Sequence, residues 1–389
     1  MDRLLKAGVI LIVIAVMALA LNAVNLPFVG RDFISFWTGA QALRAGHSPY
    51  DQAFQMAVQQ ANGWDTRTEL FPFHPYVYPP WLAILIWPLT WLPYRQALAV
   101  WLALNLVLAA VAMIVLIGVL RPRNRRAALP LAWLMLFLYL PVLHGLVVGQ
   151  THLLLLFLMT ITVWASTTRH DRVAGLALGL MSIKPQVGLV LAAVFGVYWL
   201  TQRRWQAVLS LILTGLVCAA ISFVFVPNWV TDMLAASDRF TALTGLPLLP
   251  SGFRDYPTVY AAVRVGLTQS PILLLTAPAA LAALVLWAVR RRSIAQLPRW
   301  FSMVVLAGLL LITPYARVYE LTLLLAPLLY VWLTTDIRAS RLTRVAIVGC
   351  VYIWPFVMLV WRADGVWNVW SALMLTVAVL ILPRTRATV

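Results

Sequence analysis

Long apolar runs alternate with short basic turns along most of the chain. Leu4–Leu26 is interrupted by only three strongly polar residues, Lys6, Asn22 and Asn25, and Leu98–Leu120, Ala207–Val226 and Val345–Trp361 repeat the pattern. Runs of about 17 or more mostly apolar residues predict membrane-spanning helices, because in hydrocarbon every backbone N–H and C=O must be bonded within the segment. The predicted helices are 5–25, 97–120, 128–146, 150–166, 173–184, 186–200, 207–226, 271–289, 300–314, 318–335, 345–361 and 366–383. This describes an all-α polytopic membrane protein of about 12 transmembrane helices, a single integral membrane domain over 1–389.

Three segments depart from the simple alternation. Stretches 26–79 and 227–270 are too polar to span and read as long outer-face loops; loops of that length in a compact protein are usually functional. Trp81–Leu92 is apolar but short, and counting it as a span would move the Arg121–Arg126 cluster to the wrong side, so it reads as a re-entrant or interfacial helix. The hairpin 173–200 has short halves that meet at Ser182-Ile183-Lys184-Pro185-Gln186. Broken helices at membrane depth usually line a site or a cavity.

Composition sharpens this picture. Hydrophobic residues make up 63% of the chain and charged ones 11%, against about 25% charged in a typical soluble domain, so no sizeable water-facing domain is expected. The formal charge of +17 would suggest nucleic acid in a soluble protein. Here the basic residues cluster in the turns that cytoplasmic loops would occupy, so membrane lipids and not nucleic acid are the expected partners. With Arg121, Arg125, Arg203, Arg204, Arg290–Arg292, Arg384 and Arg386 inside, both termini are expected in the cytoplasm and the two long loops on the periplasmic or extracellular face of the plasma (inner) membrane. The first run begins with Arg3 and Lys6 but is longer than a signal-peptide core, and reads as an uncleaved helix. Cys218 and Cys350 lie within apolar runs and read as packing residues.

Candidate chemistry concentrates on the outer side. Asp32 follows the first helix, between Arg31 and an aromatic face of Phe33, Phe36 and Trp37. It is either an interfacial carboxylate held by Arg31 or a general base that takes a proton from an acceptor hydroxyl. Phe71–Pro80 is a proline-fixed aromatic stretch; it is an interfacial belt, or a platform in which Tyr78 meets a sugar and His74 donates to a phosphate. Lys184 lies within the apolar hairpin, where a cation is a functional candidate by default, with phosphate as its natural partner. His144, Gln150 and His152 flank a glycine turn; Gln150 suits hydrogen bonding to a ligand or a loop, and no metal is expected. Arg254 in the second loop is a surface partner of Asp255 or a phosphate ligand. Arg317 and Glu320 are three residues apart; they form a structural ion pair, or Arg317 faces a phosphate while Glu320 positions it or a sugar.

An ordered set of short segments resembles glycosyltransferase family 87, a group of GT-C-type membrane enzymes. These are Asp32-Phe-Ile-Ser-Phe-Trp-Thr-Gly-Ala-Gln-Ala-Leu with Gly46 and Pro49-Tyr50-Asp51, then Tyr78-Pro79-Pro80 with Trp87-Pro88-Leu89 and Leu92-Pro93. Gly149-Gln150-Thr151-His152, Ala174-Gly175-Leu176-Ala177-Leu178-Gly179 leading to Ile183-Lys184-Pro185-Gln186, and Pro314-Tyr315 with Tyr319-Glu320 complete it. The resemblance implies a GT-C-like bundle, a polyprenyl-phosphate sugar as donor substrate with no cofactor, and a hexose, mannose-like, passed to a lipid or glycan acceptor on the outer face. It matches Asp32 to the family's catalytic carboxylate, and Glu320 stands where an Asp is usual. Lys184, Arg254, Arg317 and His74 are then candidates for the donor phosphate, and Glu320, Tyr78, Gln150 and Trp37 for sugar or acceptor. Attack opposite the leaving phosphate would invert the anomeric centre. A transporter or flippase of lipid-linked sugar would also suit the broken hairpin, and a polysaccharide polymerase or ligase would share the donor.

Overall fold

The computed structural model describes residues 29–64, 73–122, 124–244, 258, 297–313, 316–334, 339–361 and 375–379. The expected first helix (5–25), the helix 271–289, most of the last helix (366–383), Arg254 with its loop, and Pro314-Tyr315 lie outside the described residues. Every regular element among the described residues is helical. The helices are α1 (Phe33–Arg44), α2 (Gln52–Ala61), α3 (Pro80–Ile86) continued by a 3₁₀ turn (Trp87–Trp91), α4 (Tyr94–Leu120), α5 (Arg125–Leu138) and α6 (Leu140–Val148). There follow α7 (His152–Thr168), α8 (Asp171–Leu180) with a 3₁₀ turn (Met181–Ile183), α9 (Pro185–Thr201), α10 (Trp205–Phe225) and α11 (Trp229–Thr244). The last are α12 (Leu297–Ile312), a 3₁₀ segment (Val318–Leu324) running into α13 (Leu325–Leu333), and α14 (Arg341–Trp361).

Two of these helices, α4 and α10, are long and apolar enough to cross a membrane. A third candidate arises if α5 and α6, bent by 58° to one another, are counted as one span. Among the described residues the expected count of about 12 spans is thus not confirmed: two or three long helices stand beside several short ones, and the breaks have visible causes. Pro141 at the start of α6 cannot donate to the preceding turn, so the predicted 128–146 helix bends at Tyr139. Pro185 opens α9 and forces Lys184 out of the helical region (φ −121°, ψ 89°), which gives the expected break in the 173–200 hairpin. Trp81–Leu92 forms the short α3 and its 3₁₀ turn, in keeping with a segment that does not span.

The two stretches expected as outer-face loops are less irregular than the sequence suggests. Residues 26–79 contain α1 and α2, and 227–270 begins with α11. Asp51 starts α2 by accepting the Phe54 N–H at 3.1 Å, a standard N-cap. That bond is the main reason the Asp51 carboxyl is held below its usual range.

The chain divides into two compact units. One comprises Met1–Val111, His144–Leu154 and Leu216–Gly245; the other comprises Ala112–Leu143, Leu155–Gly215 and Leu246–Val389. In the first, α1 is buried along most of its length and packs on α2, α3 and the 3₁₀ turn. In the second, α9 packs on α8 and α12, and α13 packs on α5 and α14. Gly175 in α8 lies directly against the Ala207 carbonyl of α10, where any side chain would collide. Arg204 ties the same region together by pairing with Asp171 and donating to the Ser166 carbonyl at 2.9 Å. Along α10, Leu209, Ile212, Leu216, Val217 and Val224 are exposed, while Thr214, Cys218 and Ser222 are buried.

Arg121, Arg169 and Arg203 follow α4, α7 and α9 with positive φ (49°, 62° and 55°). Glycine is the usual residue in that conformation, and a side chain there costs on the order of 1 kcal/mol. Arginine at these positions offsets that cost by meeting the negative ends of the three helices.

Candidate functional site

The carboxylate of Asp32 is the centre of the first unit's polar network. Asp32 occupies the N-cap position of α1, where an aspartate normally bonds the first turn's N–H groups. Here the side chain makes no capping bond. Its Oδ2 accepts from Gln150 Nε2 at 2.6 Å and its Oδ1 lies 3.3 Å from His74 Nε2. The Asp32 and His74 side chains are 17% and 16% exposed, so neither is fully sealed from solvent.

Each partner is itself fixed. The Gly145–His152 turn docks against the start of α1: Asp32 N–H donates to the Val148 carbonyl at 2.8 Å, and Gly30 N–H to that of Val147 at 2.8 Å. Trp101 donates to the Gly149 carbonyl at 2.9 Å. Gly149 has φ +75°, and a Cβ there would stand 2.7 Å from Phe33 Cβ, so both the conformation and the close approach require glycine. Gln150 is 2% exposed. Its amide nitrogen also donates to the Tyr78 hydroxyl at 3.2 Å, and its oxygen accepts the Thr151 N–H.

The segment carrying His74 and Tyr78 is held by two buried glutamines of α2. Gln59 accepts the His74 N–H at 2.7 Å and donates to the His74 carbonyl at 2.7 Å and to Thr38 Oγ1 at 3.1 Å. One turn earlier, Gln55 accepts the Tyr76 N–H at 2.8 Å and donates to the Pro49 carbonyl. The two amides stand in for a neighbouring strand, completing backbone pairs that the proline-rich segment cannot make with itself. Tyr50 donates to the Tyr78 carbonyl at 2.7 Å; burial, with Asp232 adding to it, pushes the Tyr50 phenol well above its usual range. The His74 ring lies between Trp64 (centroids 6.2 Å apart) and Phe240 of α11 (5.8 Å).

Gln59→Leu is expected to leave the His74 N–H and carbonyl without partners, at roughly 1–3 kcal/mol for each buried group. The detergent-solubilised variant should melt several degrees below the wild type. An unchanged midpoint would mean that the α2 amides do not hold the segment.

In the second unit, Lys184, at the break between α8 and α9, pairs with Glu320 of the Val318–Leu324 segment. The two side chains are 2% and 1% exposed. Lys184 Nζ also sits 4.5 Å from the centre of the Tyr319 ring. Glu320 uses its other oxygen to accept the Arg317 N–H at 2.6 Å, so the Glu320 carboxylate pairs with Lys184, 136 positions away, through one oxygen and with the Arg317 backbone through the other. Nearby, Thr313 donates to the Gln186 carbonyl.

The candidate residues thus fall into two groups. Asp32, His74, Tyr78 and Gln150 meet in the first unit; Lys184, Arg317 and Glu320 gather in the second. Trp37 is buried in the first unit, stacked edge-on against Tyr94 and donating to the Leu89 carbonyl at 3.3 Å. Arg254 lies outside the described residues. Sequence reasoning missed Gln55, Gln59, Trp64 and Phe240; the Asp51 cap followed by glutamines four apart was the available signal for the first two. Among the described residues, no three His, Cys, Asp or Glu side chains are grouped to hold a metal ion.

The model of glycosyltransferase family 87 matches residues 76–314. The chain belongs to that family. No curated protein matches the chain. The family 87 match covers Tyr78, Gln150, Lys184 and Arg254, whereas Asp32, Trp37, His74, Arg317 and Glu320 lie outside it. Membership makes the protein a glycosyltransferase, and its apolar helices suit a membrane protein.

Proposed function

We propose that this family 87 protein transfers a hexose, mannose-like, from a polyprenyl-phosphate donor to a lipid or glycan acceptor on the outer face of the plasma membrane, with inversion and with Asp32 as the base. The single observation that carries this reading is the state of the Asp32 carboxylate. It stands at a helix N-cap without capping, accepts from Gln150 on one oxygen, lies 3.3 Å from His74 Nε2 with the other, and is 17% exposed. Such a group is placed where it can receive a proton. The acceptor hydroxyl gives its proton to Asp32 as its oxygen bonds to the anomeric carbon, and the bond from that carbon to the phosphate oxygen breaks with its electron pair leaving on the phosphate. A cation facing the phosphate would stabilise that leaving charge. The accompanying architecture is a GT-C-like bundle of about 12 spans with both termini in the cytoplasm.

The test is a transfer assay in nanodiscs with a panel of radiolabelled polyprenyl-phosphate sugars and a lipid extract from the source. Label entering a new product is the expected result and names the sugar. Binding of polyprenyl phosphate with no transfer from any donor would favour a flippase. Neither binding nor transfer would overturn the lipid-linked donor.

A further inference from the structure

We propose that the two turns carrying Arg169, Arg172 and Arg203 form a binding site for the headgroup of an anionic phospholipid. The inference is independent of the sugar donor and of the role of Asp32.

The two turns are fastened to each other within the second unit. One joins α7 to α8 and the other joins α9 to α10. Arg204 of the second turn pairs with Asp171 of the first and donates to the Ser166 carbonyl at 2.9 Å. Ser210 of α10 donates to the Arg172 carbonyl at 2.7 Å. Each turn also closes on the helix before it. The His170 N–H donates to the Ala165 carbonyl at 2.9 Å, and the Arg204 N–H to the Trp199 carbonyl at 2.8 Å. Such bonds end a helix through one left-handed residue, which is Arg169 in the first turn and Arg203 in the second. The same motif thus presents an arginine at both places.

The charge on these turns is uncompensated. Asp171, the one acid in residues 169–172 and 202–205, is taken by Arg204. Arg169, Arg172 and Arg203 are exposed, and their side chains make no hydrogen bond or ion pair among the described residues. Like charges held on one fixed surface repel. An anion with several oxygens relieves that repulsion, and phosphate suits it best, because guanidinium groups meet phosphate oxygens in pairs.

The surroundings favour a phosphate that carries acyl chains. On α9, Leu189, Val197 and Leu200 are exposed on one face that leads up to Arg203. On α10, Trp205, Leu209 and Ile212 are exposed at the spacing of a single stripe, with Trp205 at its head. Val173 and Leu176 of α8 are exposed just past Arg172. Apolar strips on three helices therefore end at the arginines. Tryptophan is enriched where hydrocarbon meets headgroups, and α10 is long and apolar enough to cross a membrane. Arg203, two residues before Trp205, then stands at the level of lipid phosphates. A free phosphate would use the cations alone, whereas a phospholipid uses the cations and the apolar strips together.

The test is phosphatidylglycerol binding to the full chain in detergent, followed by native mass spectrometry across a titration. Arg169→Gln/Arg172→Gln/Arg203→Gln is compared with Arg121→Gln/Arg125→Gln/Arg341→Gln, which removes equal charge from arginines exposed elsewhere. A basic residue at an anionic membrane surface strengthens attachment by about fivefold. The first variant is therefore expected to bind phosphatidylglycerol about 100-fold more weakly than the wild type, and the second to stay within about fivefold. Phosphatidylcholine should bind all three proteins alike. Equal losses in the two variants would overturn the site and leave a diffuse attraction of a basic protein for anionic lipid. Displacement of phosphatidylglycerol by inorganic phosphate at equal concentration would overturn the choice of a lipid. Should the first variant fail to fold, Arg172→Gln decides, since it changes an exposed position within α8. A loss of about fivefold is expected there, and unchanged affinity would overturn the proposal.

Discussion

Asp32→Asn is expected to fold normally, bind donor as the wild type does, and transfer sugar about 100- to 10,000-fold more slowly, the range by which a positioned base accelerates proton transfer. The substitution is nearly isosteric. Gln150 presents a donor to Oδ2, so the Asn amide oxygen would take that side and its NH₂ would face His74. The change removes no volume, so the site accommodates it without a cavity. What the amide cannot do is accept a proton from the acceptor hydroxyl. The check is single-turnover transfer in nanodiscs beside donor binding measured on the same preparation. Wild-type rates in Asp32→Asn would remove Asp32 as base.

Lys184→Met is expected to destabilise the protein by about 3–5 kcal/mol, because it strands Glu320 as an unpaired buried carboxylate. The double variant Lys184→Met/Glu320→Met should recover most of that loss. Removing both charges also removes their desolvation cost, and apolar replacements of a buried pair are often close to neutral. The recovery should fall short by about 1 kcal/mol, since the Arg317 N–H loses its acceptor. Thermal melting in detergent, followed by tryptophan fluorescence, gives the three midpoints. If the single variant melts with the wild type, the pair does not secure this part of the fold. If the double variant is as unstable as the single one, the loss belongs to the packing of the lysine stem and not to the stranded charge.

Much of the helical plan is legible in the sequence, because a span announces itself through its length and apolar content. Helices α4 and α10 lie within a few residues of their predicted limits, and Pro185 marked the break at Lys184. The helices in the 26–79 stretch were not legible in that way. α2 is short and polar, with glutamines facing inward, so its apolar periodicity is weak even though Asp51 marks its start. The site was legible residue by residue and not as an arrangement. Asp32, His74, Tyr78 and Gln150 each carried a local reason for interest, but only the folded chain sets Gln150 against a carboxylate 118 positions away. Lys184 and Glu320 show the same limit more sharply. Read separately they suggested a phosphate ligand and a sugar ligand, since nothing local in either stretch encodes the other's charge.

The outward face of α10 carries one further consequence. Its 21 residues span about 31 Å at 1.5 Å per residue, close to the roughly 30 Å of a bilayer's hydrocarbon. With leucine, isoleucine and valine exposed along that length, the helix is long and apolar enough to lie against lipid as a ruler would. At one end, Gly175 and Arg204 clamp it to α8 with no room to slide. Thinner or thicker lipid must therefore be met by tilting the clamped assembly or deforming the bilayer around it, so chain length in the surrounding lipid becomes a mechanical variable of this enzyme, separate from the chemistry of its substrates.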